Sequence, residues 1–577
     1  MRTRTLRALA AVLVVGIVAV PSVGQAPTAD AVGVTYQPVA GAGSTWSAPA
    51  LQQWIRTFFD NFRVKVTYDD QGSTAGRNLF SQGSKDFAVS EIPYSLTGSD
   101  APDPRPSRAF AYVPIVAGGT AFMYNLVIGG QRVTNLRLSG ATVAKIFTGV
   151  ITKWNDPAIA ADNPKLALPA IQIVPVVRSD GSGTTAQLTA WMRSQYGSTW
   201  TAYCAKAGRA NCGITSNYPV VAGSAFIAQQ GSNNVAGLIA QDKSVGAIGY
   251  VEASYALNAK FPVAKLLNSA GYYTEPTASN VAVSLLAAVI NNDDQSPDYL
   301  TANLTGVYTN KDPRTYPLSS YSYLIIPMAI EGSFTEDKGY SLAEFAAYSL
   351  CQGQQVAEVL GYSPLPINLA SAGLEQVLKI PGGAPKVTSI ATCKNPTFSP
   401  DGTNKLANEA PQPQACDRKG ADQCLTGTGG ASGVATKPSS SGDAPTGAAI
   451  DGGSDEALGE GELPTESLGG GAGVGGSADI VVAGSPQELP ERGLAAPTLL
   501  LMVFAGVLVL AVVMLPPVIV RRRAAMQLAG APRGPTRRAR APREARSSTP
   551  PRRGRLRIHL PSSLRKGGRA VPPSGDS

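Results

Sequence analysis

Residues 178–185 read RSDGSGTT and lie between an apolar stretch, 171–177, and a run with helical spacing, 184–195. The segment therefore predicts a strand–loop–helix unit. Two loops of similar design precede predicted helices: GAGSTW at 41–46 and QGSTAG at 71–76. The first N–H groups of a helix lack partners within the helix, and the helix dipole adds partial positive charge there. Each loop is thus a candidate anion-binding site, where Gly permits close approach and Ser or Thr adds hydroxyl groups.

Strands and helices alternate from residue 34 to residue 395, a part of the chain with ordinary complexity. The predicted strands are 64–68, 87–90, 111–116, 120–125, 171–177 and 247–250. The predicted helices are 48–61, 75–82, 140–147, 184–195, 281–290 and 342–354. This alternation predicts an α/β fold with two domains, each a sheet covered by helices.

Arg178 distinguishes the third loop from an ordinary helix start. A single Ser/Thr/Gly loop is typical of a simple N-cap, but a guanidinium group offers a fixed fork of donors suited to a tetrahedral oxyanion. Asp180 is placed to orient that group. None of the three loops continues into Gly-Lys-Ser/Thr, so nucleotide hydrolysis is not indicated.

The chain has one histidine, His559, and it lies in an Arg-rich tail. The rest of the chain therefore has no imidazole for Ser-His or Cys-His catalysis or for a His-liganded metal. We interpret the protein as a non-enzyme without cofactor or metal, and a phosphatase-like hydrolase as the rejected alternative. The net charge is +9, but residues 521–577 carry 16 Lys and Arg against Glu544 and Asp576. The remaining chain is net acidic, and no nucleic-acid partner is expected.

Residues 1–31 have the layout of a signal peptide: early arginines, an apolar run at 8–20 and small residues before the cut. Both Ala26 and Ala31 fit as its last residue. A second apolar segment, 493–520, contains no charged residue and is followed by three arginines. It predicts one transmembrane helix, with the basic tail 521–577 disordered and cytoplasmic and with the preceding chain outside the membrane.

Six cysteines lie in the predicted extracytoplasmic part, where an oxidising compartment favours disulfides. Fifteen pairings are possible, and a nearest-neighbour scheme pairs Cys204 with Cys212, Cys351 with Cys393, and Cys416 with Cys424. The spacings contain no Cys-x-x-Cys pair, which argues against zinc. Residues 396–424 form a Cys-containing extension, and the Gly-, Ser- and acid-rich segment 425–492 predicts a disordered linker.

Four segments closely resemble, in the same order, the signature segments of the phosphate-binding proteins of bacterial phosphate ABC importers. They are GAGSTWSAP at 41–49, IFTGVITKWNDP at 146–157, RSDGSGT at 178–184 and GAIGYVE at 246–252. The resemblance covers about residues 34–378. It implies a two-lobed periplasmic-binding-protein ("Venus flytrap") fold with phosphate between the lobes, and an ABC permease as partner.

The resemblance also implies a set of phosphate contacts. Trp46 stands where the family usually has Phe, and in the family the backbone N–H of that residue contacts the ligand. Asp180 is the expected partner of Arg178. The implied contacts in the three loops are Thr45, Trp46, Ser73, Arg178, Ser182, Gly183 and Thr184.

Glu91 departs from the family pattern, which usually has Asp at this position. In the family that carboxylate accepts a hydrogen bond from a protonated phosphate oxygen, which sulfate cannot donate. Glu keeps this chemistry but adds about 1.5 Å of reach. Either the side chain turns back by a change of rotamer, or the cleft is altered.

These observations favour a membrane-tethered receptor that captures inorganic phosphate outside the cell and delivers it to an ABC importer. The alternative is a surface sensor or adhesion module built on the same fold, because simple delivery needs no long linker or Arg-rich cytoplasmic tail. The sequence does not separate phosphate from arsenate, a near isostere.

Overall fold

The computed structural model describes residues 35–210, 213–393, 398–399 and 401–436. Contacts divide the chain into the units Met1–Ser454 and Asp455–Ser577, and all described residues belong to the first unit. The predicted signal peptide, transmembrane segment and cytoplasmic tail lie outside the described residues. Within the described ranges, no helix is both long and apolar enough to cross a membrane.

The described residues form short strands and helices that alternate along the chain. The strands are β1 Val39–Gly43, β2 Val66–Asp69, β3 Phe87–Ser90, β4 Phe110–Tyr124, β5 Val127–Ile128, β6 Gln131–Arg132, β7 Arg137–Leu138, β8 Val174–Arg178, β9 Ile227–Gln229, β10 Ala247–Glu252, β11 Lys265–Leu267, β12 Tyr273–Thr274, β13 Val289–Ile290, β14 Ala302–Asn303 and β15 Ser319–Pro327. The α-helices are α1 Ala48–Phe62, α2 Ser73–Ser81, α3 Gly140–Ile146, α4 Pro157–Asp162, α5 Gly183–Gln195, α6 Gly197–Lys206, α7 Gly231–Ile239, α8 Ala253–Asn258, α9 Ala278–Leu285, α10 Thr305–Tyr308, α11 Glu336–Leu350, α12 Ile367–Val377 and α13 Lys405–Asn408.

Eight strands form one mixed sheet in the order β2-β1-β3-β15-β4-β10-β8-β9. The first parallel half consists of β2, β1 and β3, and the second parallel half consists of β10, β8 and β9. Between them lie β15 and β4, which run antiparallel to each other and to the neighbouring strand on either side. The α/β class is confirmed. The sequence predicts one sheet in each of two domains. The structure has two groups of strands, and the single strand β4 connects them: residues 110–119 pair in the first group and residues 120–124 in the second.

The strand β4 replaces the two predicted strands 111–116 and 120–125. Residues 110–119 pair with β15, and residues 120–124 pair with β10. At this change of partner, a Cβ at Gly118 would lie 2.8 Å from the Trp46 ring, and one at Gly119 would lie 2.4 Å from Pro276. The two glycines interrupt the apolar pattern, yet they let a single strand pass through a crowded point.

The two parallel halves run in opposite directions along β4, and the carboxyl ends of both face the middle of that strand. The strand β3 ends at Ser90, in register with Pro114 through Tyr323, and β10 ends at Glu252, opposite Thr120. The carboxyl ends of parallel strands are where α/β folds bind ligands. Four strands of the two parallel halves lead through short loops into helices: β1 into α1, β2 into α2, β8 into α5 and β9 into α7. The N-termini of these helices carry the three loops that the sequence identifies as candidate anion sites.

One predicted helix, 281–290, is wrong at its C-terminal end. The helix α9 ends at Leu285, and Val289–Ile290 form the strand β13, which pairs with β14. Both residues are β-branched, and such side chains favour extended backbone.

Two predicted disulfides are present, Cys351–Cys393 and Cys416–Cys424. Cys204 is also disulfide-bonded, while its predicted partner, Cys212, lies outside the described residues. The Cys351–Cys393 bond joins the end of α11 to the residues that precede the C-terminal extension.

The C-terminal extension continues further along the fold than the sequence predicts. Residues 425–436 were expected to begin the disordered linker, but Thr428 and Ala431 are buried. Thr428 Oγ1 donates to the backbone oxygen of Thr134 (3.0 Å), and the Thr134 N–H donates to Thr436 Oγ1 (2.7 Å). The composition of this stretch has few large apolar residues, but its backbone and hydroxyl groups find partners on residues 261–263 and on the segment after β6.

A buried ion pair anchors the extension. Lys265 Nζ in β11 lies 2.8 and 2.9 Å from the two carboxylate oxygens of Asp417. We expect Asp417→Asn to lower the free energy of unfolding by about 3 kcal/mol, because the buried Lys265 ammonium group loses the carboxylate that it contacts. Denaturation followed by tryptophan fluorescence measures this in the full chain, since all five tryptophans are buried in the described part.

The matched control for this ion pair is Asp422→Asn. Asp422 pairs with Lys165 at 3.2 Å in the same extension, but the two side chains are 73% and 49% exposed. An exposed pair contributes little, so this variant should differ from the wild type by less than about 0.5 kcal/mol. Equal stabilities of the two variants would contradict the anchoring role of Asp417.

Candidate anion-binding site

The third loop places the N-terminus of α5 inside the protein. Ser182 caps this helix, with its Oγ accepting a hydrogen bond from the Thr185 N–H at 3.2 Å. Gly183 and Thr184 are the first residues of the helix, where N–H groups lack helical partners. Thr184 Oγ1 is buried and has no hydrogen-bond partner among the described residues. An unpaired buried hydroxyl is unfavourable, and at the N-terminus of a helix this one is available to a ligand.

Arg178 is the last residue of β8, and its side chain is buried. Its Nε donates to Asp180 Oδ1 at 2.7 Å, and its Nη2 donates to the other carboxylate oxygen of Asp180. The Gly231 N–H also donates to Asp180 Oδ1, at 2.9 Å. Asp180 thus holds the guanidinium group in one orientation, as the sequence predicts for this pair.

Ser232, at the start of α7, is a site residue that the sequence interpretation missed. Arg178 Nη1 donates to Ser232 Oγ at 3.1 Å, and this Oγ lies 3.0 Å from Thr45 Oγ1. The signal was present, because Gly231-Ser232 is another Gly/Ser helix start. The strand before it, β9, has only three residues and so gives little strand pattern in the sequence.

The first loop reaches the same point from the other half of the sheet. The Ser232 N–H donates to Thr45 Oγ1 at 3.2 Å, so Thr45 joins the two parallel halves. The backbone of the loop is fixed by two tyrosines: Tyr255 donates to the Thr45 carbonyl, and Tyr362 donates to the Trp46 carbonyl at 2.5 Å. The Trp46 N–H, a phosphate contact by resemblance, donates to Ser44 Oγ at 3.0 Å in this structure.

The second loop brings Ser73 to the N-terminus of α5. Ser73 Oγ accepts a hydrogen bond from the Gly183 N–H at 3.1 Å and donates to Glu91 Oε2 at 2.8 Å. Glu91 follows β3 and is buried. The structure therefore brings Ser73, Glu91 and Gly183 together. A second group, formed by Thr45, Arg178 and Asp180, surrounds the start of α7 at Ser232.

The loops of the two parallel halves are locked together. The Thr74 N–H donates to the Gly181 carbonyl at 3.0 Å, and Thr74 Oγ1 donates to Ser216 Oγ at 3.2 Å. Each of the predicted contact side chains that carries a polar group is at most 3% exposed. An anion bound here would be removed from water, where hydrogen bonds and charges act more strongly.

Gly183→Ala tests how closely the site is packed. A Cβ at this position would lie 2.1 Å from Glu91 Oε2 and 2.7 Å from Ser73 Oγ. We expect phosphate affinity, measured by calorimetric titration, to fall by about tenfold or more, because both side chains must move. Gly197→Ala is the control: it also replaces the first residue of a helix, α6, but the new Cβ would meet nothing within 4 Å. Equal affinities of the two variants would contradict this geometry.

Two acidic groups near the site have raised pKa values. Burial raises the pKa of Asp70, with a smaller contribution from Asp69, while its backbone hydrogen bond and Arg178 oppose the shift. Burial raises the pKa of Glu252 to about 8, against hydrogen bonds from Ser254. Glu252 ends β10 and accepts the Ser254 N–H at 2.6 Å. Burial thus favours the protonated, uncharged form of this side chain.

Comparisons with known proteins give the family of the chain. Residues 22–352 match the family model described as a PBP superfamily domain. A phosphate-binding protein PstS of Xylella fastidiosa is 31% identical over 336 residues, which are 57% of this chain and 82% of the relative. One from Methanocaldococcus jannaschii is 28% identical over 349 residues, 58% of this chain and 84% of the relative.

Solved structures of similar proteins include a phosphate ABC transporter substrate-binding protein from Clostridium perfringens with bound phosphate. It shows 19% identity and a TM-score of 0.37, and it covers 57% of this chain and 100% of its own. A high-affinity periplasmic phosphate-binding protein with bound phosphate shows 19% identity and a TM-score of 0.45, over 61% of this chain and 100% of its own.

Proposed function

We propose that this chain, which belongs to the PBP superfamily and there to the PstS-type phosphate-binding proteins, captures inorganic phosphate outside the cytoplasm and delivers it to an ABC importer. Phosphate binding, rather than an enzymatic reaction, is the activity of this family. Capture by the residues named above, tethering to the membrane and delivery are the parts that we propose.

One observation carries the assignment of the site. Three buried groups lie at helix N-termini: Arg178 Nη1 contacts Ser232 at the start of α7, Thr184 Oγ1 is unpaired in the first turn of α5, and Glu91 is linked through Ser73 to that same turn. Arg178 and the helix ends supply positive charge and donors, and Glu91 supplies an acceptor. A protonated oxyanion offers one donor and several acceptors, so it complements this set, whereas sulfate leaves a carboxylate facing an unprotonated oxygen.

The burial of the candidate site favours a small ligand. Because the contact side chains are almost completely buried, the site favours a small anion over the bulkier organic group of a phosphate ester. Free phosphate, or arsenate of the same shape, is the ligand class that we propose. Release then requires the two parallel halves to separate at the contacts of Thr74 and Thr45.

Tethering rests on the sequence. The apolar segment 493–520 and the arginines after it are the basis for one transmembrane helix with a cytoplasmic tail. Since the chain is held to the fold as far as residue 436, the linker to the membrane starts there and not at residue 425. A coil of this length spans on the order of 40 Å, enough for the binding unit to reach a permease in the same membrane.

Phosphate uptake by cells tests the proposal. Cells that lack the gene would be supplied with the full chain, with Arg178→Ala, or with a chain that ends at residue 436, and uptake of labelled phosphate at low concentration would be measured. We expect only the full chain to restore uptake fully, with sulfate uptake unchanged in all strains. Uptake that does not depend on the chain, although it binds phosphate, would favour the sensor or adhesion function.

A further inference from the structure

Three serine hydroxyl groups surround the Glu91 carboxylate. Ser73 donates to Oε2 at 2.8 Å, while Ser322 donates to Oε1 at 3.1 Å and Ser47 Oγ lies 3.4 Å from the same oxygen. The three serines come from different elements: the start of α2, the strand β15 and the residue before α1. A buried carboxylate is unfavourable without such partners, so these hydroxyl groups compensate for its loss of water.

The two oxygens of Glu91 face different surroundings. Oε2 lies beside Ser73 and the first turn of α5, where an added Cβ at Gly183 would be 2.1 Å away. Oε1 points the other way, toward β15. This arrangement accommodates the longer side chain: Glu turns one oxygen toward the strand and keeps the other beside the anion-binding groups.

Ser47 and Ser322 form a relay to this carboxylate. Their Oγ atoms are 2.9 Å apart. Each hydroxyl group carries one hydrogen, so the arrangement with the shortest distances has Ser47 donating to Ser322 and Ser322 donating to Glu91. Ser47 precedes α1 but makes no side-chain cap hydrogen bond, which leaves its hydroxyl group free for this contact.

The backbone around Ser322 is irregular at the same place. The pairing register of β15 with β4 shifts between Ser322 and Tyr323. Such a bulge changes the direction of nearby side chains and is common beside functional sites. On the other side, Gln187 Nε2 of α5 donates to the Glu91 carbonyl at 2.8 Å, so both the backbone and the side chain of Glu91 are held.

We propose that Ser322, supported by Ser47, is a positioning residue that holds Glu91 in the orientation that accepts a proton-bearing oxyanion. The inference rests on the proposed function. It explains how a site with Glu in place of Asp keeps its chemistry: the relay fixes the extra methylene away from the ligand. Without Ser322, Glu91 can turn toward the anion and meet it with both oxygens, which disfavours any oxyanion.

The test is a double-mutant cycle on the full chain in detergent, with phosphate and sulfate affinities measured by calorimetric titration at pH 7.5. We expect Ser322→Ala to weaken phosphate binding about tenfold or more, as for the loss of a hydrogen bond to a charged group. In the Glu91→Asp background the same substitution should change affinity by less than about twofold. An Asp carboxylate, about 1.5 Å shorter, lies beyond hydrogen-bond distance of Ser322.

Ser320→Ala is the matched control. Ser320 lies two residues away on β15 and is buried, but its Oγ has no partner among the described residues. This variant should bind phosphate within about twofold of the wild type. Thermal unfolding followed by tryptophan fluorescence shows whether each variant is folded. If Ser322→Ala is not folded, Ser47→Ala removes the relay one step earlier and should weaken binding about threefold.

The possible results separate the two claims. If Ser322→Ala binds like Ser320→Ala, or if its effect persists undiminished with Asp at position 91, the positioning role is overturned while the proposed function stands. If the wild type does not bind phosphate, the proposed function fails, and this inference fails with it.

Discussion

Replacing Arg178 with alanine should weaken phosphate binding by about a thousandfold or more. The guanidinium group is buried and is fixed by Asp180 and Ser232, so its charge and donor directions are in place before the ligand arrives. Truncating one partner of a buried, hydrogen-bonded charge pair costs 2–5 kcal/mol or more, and about 4 kcal/mol corresponds to this loss. Calorimetric titration of the full chain with phosphate measures it.

Removing Arg178 also leaves the Asp180 carboxylate without its partner. This adds to the loss of phosphate affinity and needs its own control. In Arg178→Ala it would remain buried beside the anion and repel it. The double variant Arg178→Ala/Asp180→Ala removes both charges, so it should recover stability but still bind phosphate at least about a hundredfold more weakly than the wild type. Arg178→Lys keeps the charge but loses the fork of donors, and an intermediate affinity is expected. Wild-type affinity in Arg178→Ala would show that the site has been assigned wrongly.

Glu252→Gln should remove much of the pH dependence of stability between about pH 5 and pH 8. The folded state raises the pKa of Glu252 to about 8 from an ordinary value of 4.5, chiefly through burial. Between these two values the folded chain retains a proton that the unfolded chain has lost. Its stabilising contribution is therefore complete below about pH 4.5 and is lost as the pH rises toward 8.

The expected size of this effect follows from linkage. Each pH unit between the two pKa values lowers the free energy of unfolding by about 1.4 kcal/mol, or roughly 5 kcal/mol over the whole interval. Glutamine has nearly the same shape, stays neutral and can still accept the Ser254 N–H, so its profile lacks this slope. Denaturant titrations at several pH values, followed by tryptophan fluorescence, measure the difference.

Other buried acids also contribute to the pH dependence of stability. The profile of Glu252→Gln is therefore subtracted from that of the wild type. Burial also raises the pKa values of Glu275 and Glu344, so the wild type and the variant share their contributions. Glu358→Gln, which changes an exposed carboxylate, should reproduce the wild-type profile. Parallel profiles for the wild type and Glu252→Gln would contradict the assignment of a protonated Glu252.

The helix-start loops could be predicted because their chemistry is local. Glycines and hydroxyl residues before a helical run indicate a helix N-terminus wherever they occur, and α1, α2 and α5 begin within two residues of their predicted positions. The pair of Arg178 and Asp180 is equally local. Each of the two described disulfides joins one cysteine to the next cysteine along the chain. A scheme that pairs nearest cysteines was therefore sufficient to predict them.

The residues that the sequence did not reveal act across the fold. Ser322 reaches Glu91 only because β15 lies beside β3, a pairing between strands more than 200 residues apart in sequence. Ser232 reaches Arg178 only through the parallel pairing of β8 with β9. A serine in a strand has no local feature that predicts its partner. The packing of residues 425–436 was hidden for a related reason, because backbone and hydroxyl groups hold this segment rather than apolar side chains.

The most direct test of the central claim is a calorimetric titration of the full chain with phosphate and, separately, with sulfate at pH 7.5. Phosphate binding with a micromolar or lower dissociation constant, and sulfate binding at least about a thousandfold weaker, is the result expected from the site that we propose, with Arg178, Thr184 and Glu91. No heat of binding with phosphate, or equal affinity for the two anions, would contradict the account.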